Sequence, residues 1–171
     1  MKLYSSLVLY QRLKNSLSPE FSTNFLAELT DYEQLLPAAA AAAKAHQEGG
    51  QFDSAALNRI MVFVRRYSQM AELSHPLMVP PADPRAPDTD WQNMGASLVA
   101  AVERGSLHPA VKWYAQMGRA YNQGDVSGFN QALGEYRSWL AAHFPQAYAK
   151  GKWESLDRKS TRLNSSHESP S

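Results

Sequence analysis

Apolar residues recur at three- and four-residue steps along most of this chain, the period of helices that bury one face. Leu3, Leu7, Tyr10, Leu13 and Leu17 predict a first helix over residues 3–17. Ser18-Pro19 then reads as a helix start, with Ser18 as cap and Pro19 in the first position, where its missing N–H costs nothing. Phe21, Phe25, Leu29, Tyr32 and Leu36 supply the stripe of that second helix, which the pattern ends near Pro37. Six consecutive alanines, 38–43, predict a separate helical stretch stopped by Gly49-Gly50. Asp53 caps a third long helix with Leu57, Ile60, Met61, Val64, Tyr67 and Ala71 on its apolar side.

Pro76, Pro80, Pro81, Pro84 and Pro87 forbid a helix between Ser74 and Asp90. Here the pattern predicts a linker or draped loop, held by Leu77, Met78 and Val79 and solvated over 82–89. If the chain is divided at all, the division is expected here. Asp90 then caps a helix carrying Trp91, Met94, Leu98 and Val102, which ends at Gly105. Pro109 opens the next, lined by Trp113, Tyr114, Met117 and Tyr121. Gly124 provides a left-handed turn, and Asp125 caps a helix with Phe129, Leu133, Tyr136 and Leu140. Pro145 ends it, and a weaker turn runs to Trp153. No strand alternation or hairpin signal competes. The expected fold is all-α, an antiparallel bundle of six or seven amphipathic helices forming one domain over residues 1–156.

Composition narrows the chemistry. The chain has no cysteine, which removes disulfides, thiolate metal sites, covalent haem attachment and cysteine nucleophiles. Seventeen basic and 16 acidic residues are scattered along it, so no nucleic-acid footprint appears. The apolar run Leu7-Val8-Leu9-Tyr10 is far short of the ~20 residues that span a bilayer, and no small-residue cleavage pattern follows it. The segment itself is expected to be soluble, with no export signal of its own.

From Asp157 the chain reads Asp-Arg-Lys-Ser-Thr-Arg-Leu-Asn-Ser-Ser-His, which resembles a translated short-read sequencing adapter. Its polar composition is that of a disordered tail, and residues 157–171 are read as artefact. Without Arg158, Lys159 and Arg162, and without Asp157 and Glu168, 14 basic residues face 14 acidic ones. An adapter joined in frame implies a gene that continued past Leu156. An uncovered apolar patch near Trp153 is the expected consequence.

The remaining histidines, His46, His75, His108 and His143, fall in four different elements and form no ligand pair on a helical face. Isolated histidines at helix ends or in loops are more often caps or polar surface. His75, beside Pro76 and Met78, is the one candidate for a haem ligand with a partner elsewhere. Asp31 with Glu33, and Glu48 with Asp53, read as helix-end acids serving the helix dipole. Trp91, Trp113, Trp139 and Trp153 read as core rather than as a ligand-stacking set. No nucleophile motif or phosphate loop occurs, and no catalytic, cofactor-binding or metal-binding residue is assigned.

Two resemblances remain. Ala120 to Asp125, followed by Phe129-Asn130-Gln131-Ala132-Leu133 and Tyr136, is similar to one tetratricopeptide helix-turn-helix unit. An array needs at least three such units, so one copy points to an interaction scaffold at most. A longer series runs in order along residues 9–154. It comprises Leu9-Tyr10-Gln11-Arg12-Leu13-Lys14-Asn15-Ser16-Leu17, Leu77-Met78-Val79-Pro80-Pro81, Trp91-Gln92-Asn93-Met94-Gly95 and His108-Pro109. It closes on Ala120-Tyr121, Gly124-Asp125, Phe129-Asn130 and Tyr136-Arg137. This series resembles the helical region of bacterial cytochrome c assembly proteins of the ResB/CcsA type. The resemblance implies a segment on the outer face of the cytoplasmic membrane, joined to the rest of a membrane protein that presents haem to apocytochrome c. The partners the resemblance implies are the remainder of that protein, apocytochrome c and other assembly factors, with haem held outside this segment.

Overall fold

The computed structural model describes residues 2–86 and 88–151, so residues 157–171 and Trp153 lie outside the described residues. The described residues are helical and contain no strand. The helices are α1 (Lys2–Leu17), α2 (Phe25–Gln47), α3 (Ser54–Leu73), α4 (Met94–Arg104), α5 (Pro109–Asn122) and α6 (Val126–His143). A single 3-10 turn spans Asp88–Asp90, and a further helical run covers 145–151. Contacts divide the chain into two compact units, Met1–Leu133 and Gly134–Ser171.

The first unit is organised around α2 and α3. α3 packs against α2 and α4, α2 also meets α4 and α5, and α1 touches α3, α4 and α5. Phe25, Leu29, Tyr32, Leu36, Ala39 and Ala42 are all buried, so one apolar stripe runs in phase along α2. That phase explains why Pro37 does not end the helix, contrary to the break its sequence position predicts. Pro37 faces solvent, where water can serve the Glu33 carbonyl that loses its helical partner, while the buried stripe on either side holds the backbone. Asp31 and Glu33 consequently sit inside a helix and not beside its end; Glu33 pairs with Lys112 at 2.7 Å, tying α2 to α5.

The start of α2 is also displaced. Residues 18–24 form a turn in which Ser22 N–H donates to the Pro19 carbonyl, and Asn24, not Ser18, caps the helix through Ala27 N–H. Phe21 is in that turn at φ 62° and 90% exposed, so it contributes nothing to the α2 stripe. α1 forms over the predicted residues, yet Leu7 and Leu17 of its expected buried stripe are exposed. On α3, Ile60 and Tyr67 are buried as expected, whereas Met61 is exposed and Ala56 and Met70 complete the buried set.

The core's aromatic centre is tyrosine-based. Tyr32 and Tyr67 are fully buried with their rings edge to face at 4.9 Å, and Phe63 lies 5.3 Å from Tyr32. The Tyr32 hydroxyl donates to the Leu98 carbonyl at 2.8 Å, fastening α2 to α4. The Tyr67 hydroxyl is buried with no partner. Burial, reinforced by the nearby Glu28, pushes its ionisation well above the ordinary tyrosine range, so it stays a neutral, unsatisfied group. A buried orphan hydroxyl costs about 1–3 kcal/mol. Tyr67→Phe is therefore expected to raise stability by about 1 kcal/mol in urea titrations, an unusual sign for a change at a fully buried position.

The second unit begins within α6. Beyond His143, Phe144 N–H donates to Leu140 and Tyr148 N–H to Phe144, so helical bonding resumes at once after Pro145. Trp139 stacks on His143 with ring centroids 4.6 Å apart, and its ring lies 5.7 Å from Phe144. The expected caps at Asp53 and Asp125 and the left-handed residues Gly49, Gly105 and Gly124 are all present. No described helix is long and apolar enough to cross a membrane.

Candidate functional site

The proline-rich stretch is integral to the first unit. Val79 and Gln92 form an antiparallel bridge: Val79 N–H donates to Gln92 at 2.9 Å and Gln92 N–H to Val79 at 2.8 Å. Val79, Pro80 and Pro81 are buried, whereas Leu77 is exposed and residues 82–85 are solvated. The Tyr114 hydroxyl adds a bond to the Met78 carbonyl at 3.3 Å. With Gln92 engaged by this bridge, α4 starts only at Met94, so Asp90 does not cap it and Trp91 is not in it. Asn93 caps α4 instead, accepting from Ala96 N–H at 2.8 Å. Its amide also donates to the Ala71 and Ser74 carbonyls at 2.9 and 3.1 Å, closing the end of α3. Asn93→Ala removes a cap and the donor to two backbone carbonyls together, and a loss of about 2 kcal/mol is expected by urea denaturation.

This bridged loop walls a cleft of about 260 Å³ lined by Pro81, Asp83, Gln92, Ser97, Arg104 and His108, among others. His108 is only 6% exposed and caps α5, its Nδ1 accepting the Ala110 N–H at 3.2 Å. The opposite ring N–H is turned to the Pro81 carbonyl. Burial, followed by the charge of Arg104, lowers the His108 pKa to about 4, with the Pro81 bond opposing the fall. The imidazole is therefore neutral at pH 7 with both nitrogens committed to backbone groups. Arg104, partly exposed, donates to the Ser97 carbonyl at 2.8 Å. Asp83 is held by Arg85 through two hydrogen bonds at 3.1 Å on the loop surface, an arrangement that keeps its carboxyl below the usual range. The Ser97 hydroxyl is buried and has no hydrogen-bond partner, so no base activates it.

The four histidines are not brought together. His46 is exposed in the last turn of α2, 4.5 Å from the Phe52 ring; His75 is exposed in the loop; His143 closes α6. No group of three or more metal-ligating side chains occurs among the described residues. Trp91, Trp113 and Trp139 are each half-buried, so the core that was expected to hold them is filled by tyrosines and aliphatic residues. The sequence passed over His108, although its place before Pro109, at a helix start, carried the signal of a cap.

A second concavity, a groove of about 830 Å³, lies between residues 17–26, the second half of α5 and Phe129. Of Trp113, Tyr114, Met117 and Tyr121, the expected apolar side of α5, all but Trp113 line this groove, and Tyr121 is 78% exposed. No protein-family model, curated protein or solved structure matches this chain.

Proposed function

We propose that this chain is part of the external helical domain of a membrane-bound cytochrome c assembly protein, where it supports haem delivery and attachment to apocytochrome c. One observation carries the reading. Three of the landmarks on which the resemblance rests, Leu77 to Pro81, Trp91 to Gly95 and His108-Pro109, are far apart in sequence but meet in a single structural unit. Val79 bridges Gln92, Asn93 caps α4 and closes α3, and the His108 ring joins α5 to Pro81. Haem, on this reading, is held by the parent protein outside this segment. On this reading the domain lies on the extracytoplasmic face of the membrane, and its partners are the rest of the parent protein, apocytochrome c and other assembly factors.

Long-read sequencing of the locus past codon 156 tests the proposal. A frame that runs into several apolar stretches of ~20 residues around a tryptophan-rich loop is the expected result. A stop codon within a few positions, with no spanning sequence on either side, would remove the family assignment. A second reading, a tetratricopeptide-like interaction scaffold, is favoured by the α5–α6 connection, where Gly124 at φ 68° and the Asp125 cap form a tight helix-to-helix turn. It needs further helix pairs in the same gene, which the same sequencing would reveal.

A further inference from the structure

The 830 Å³ groove has the composition of a protein-binding surface. Its apolar lining is Phe25, Leu26, Met117 and Phe129 together with the outlying Tyr121, while hydroxyls and amides, Ser18, Thr23, Asn24 and Asn122 among them, supply its polar lining. Apolar centre, polar rim, and enrichment in aromatic residues, Met and Arg with depletion of Lys, Asp and Glu are the anatomy of protein interfaces. Two large side chains are left without cover beside it. Tyr121 is 78% exposed, and Phe21, in the turn whose neighbours line the groove, is 90% exposed at φ 62°. A bulky residue in the left-handed region is unfavourable for the backbone, and such outliers concentrate at recognition sites.

Charge and length specify the occupant. Arg119 is the one charged residue lining the groove, and among the described residues no carboxylate lies within ion-pair distance of it. The α5 wall runs from Tyr114 to Gln123. At 1.5 Å per residue that is about 15 Å, the length of about ten residues of a second helix. We propose that this groove seats one amphipathic helix of a partner protein, about ten residues long, with its apolar face inward and an Asp or Glu paired to Arg119. Apolar anchors at i, i+3 or i+4, and i+7 would meet the apolar lining, and the carboxylate would fix the helix direction. The inference is independent of the cytochrome c assembly reading; it gives the scaffold reading a defined surface.

The test is selection of helical twelve-residue peptides from a random display library on the full chain, followed by fluorescence polarisation with the synthesised winners. Selected sequences are expected to converge on helically spaced apolar residues with one acidic position. Tyr121→Glu and Arg119→Glu, both at exposed positions and each checked for retained helicity by circular dichroism, should weaken binding at least tenfold. An acid-to-Lys exchange in the peptide should restore affinity for the Arg119→Glu chain. Four outcomes would overturn the proposal: no enrichment, winners indifferent to both substitutions, self-association abolished by Tyr121→Glu, or Tyr121-dependent binding to phosphatidylglycerol vesicles without peptide binding. The third would assign the groove to a second copy of this chain and the fourth to a lipid surface. None of these results bears on the sequencing test of the family assignment.

Discussion

Gly95→Ala should cost the protein on the order of 3 kcal/mol, although it replaces the poorest common helix former with the best. Gly95 is buried near the start of α4, where that helix meets α3. A Cβ built there lies 2.7 Å from both the Ala71 Cα and the Tyr67 carbonyl oxygen, and closer still to the Ala71 nitrogen. Every one of these atoms belongs to the α3 backbone, so no side chain can swing aside to relieve the overlap. The helices must separate, loosening contacts made by Tyr67, Met70 and Leu98, all of them buried. In urea titrations the midpoint should fall, and the melting temperature should drop by about 10 °C. Gly134→Ala provides the opposite control: an added Cβ meets nothing within 4 Å in the middle of α6, and a gain of about 1 kcal/mol is expected. Equal small effects at both positions would mean that α3 and α4 are not held at this separation.

The contrast between those glycines shows what kind of information the sequence carried. Caps and stops are local chemistry, and Asp53, Asp125, Gly49, Gly105 and Gly124 were legible because a few neighbouring residues determine each. Pro37 was misleading because its local cost is real but is outweighed by burial of Leu36 and Ala39 beside it, a tertiary term. The displaced starts of α2 and α4 have a similar origin. Gln92 is claimed by the bridge to Val79, and nothing near Asp90 in sequence announces that partner. Gly95 was equally silent, since a glycine in a first helical turn has many innocent explanations. The groove was half legible. The apolar period of α5 was plain, but Tyr121 shows that periodicity identifies a face without saying whether this chain covers it.

His108 gives the second large effect, a loss of stability of about 3 kcal/mol on acidification. Its folded pKa of about 4 is below the ordinary 6.5 because burial penalises the imidazolium and Arg104 repels it. Between those two values the unfolded chain binds more protons at this position than the folded chain, so stability rises with pH across the window. The contribution is complete above pH 6.5, is lost progressively as the pH falls, and is gone below about 4. A separation of 2.5 pK units at 1.36 kcal/mol each gives the stated size to order of magnitude. The structural reason is direct. Nδ1 accepts the Ala110 N–H at 3.2 Å, and a proton on that nitrogen would turn the α5 cap from an attraction into two facing donors, beside a guanidinium already in the cleft. His108→Asn keeps a side-chain acceptor at the cap position but does not titrate. Urea stabilities of the two proteins between pH 4 and 8 should therefore not run parallel, with the variant lacking this part of the acid-dependent loss and the wild type losing its advantage as pH falls through the window. Parallel curves would show that the His108 ring is hydrated and free to take up a proton in the folded protein, and the tie it makes between α5 and the proline loop would have to be abandoned.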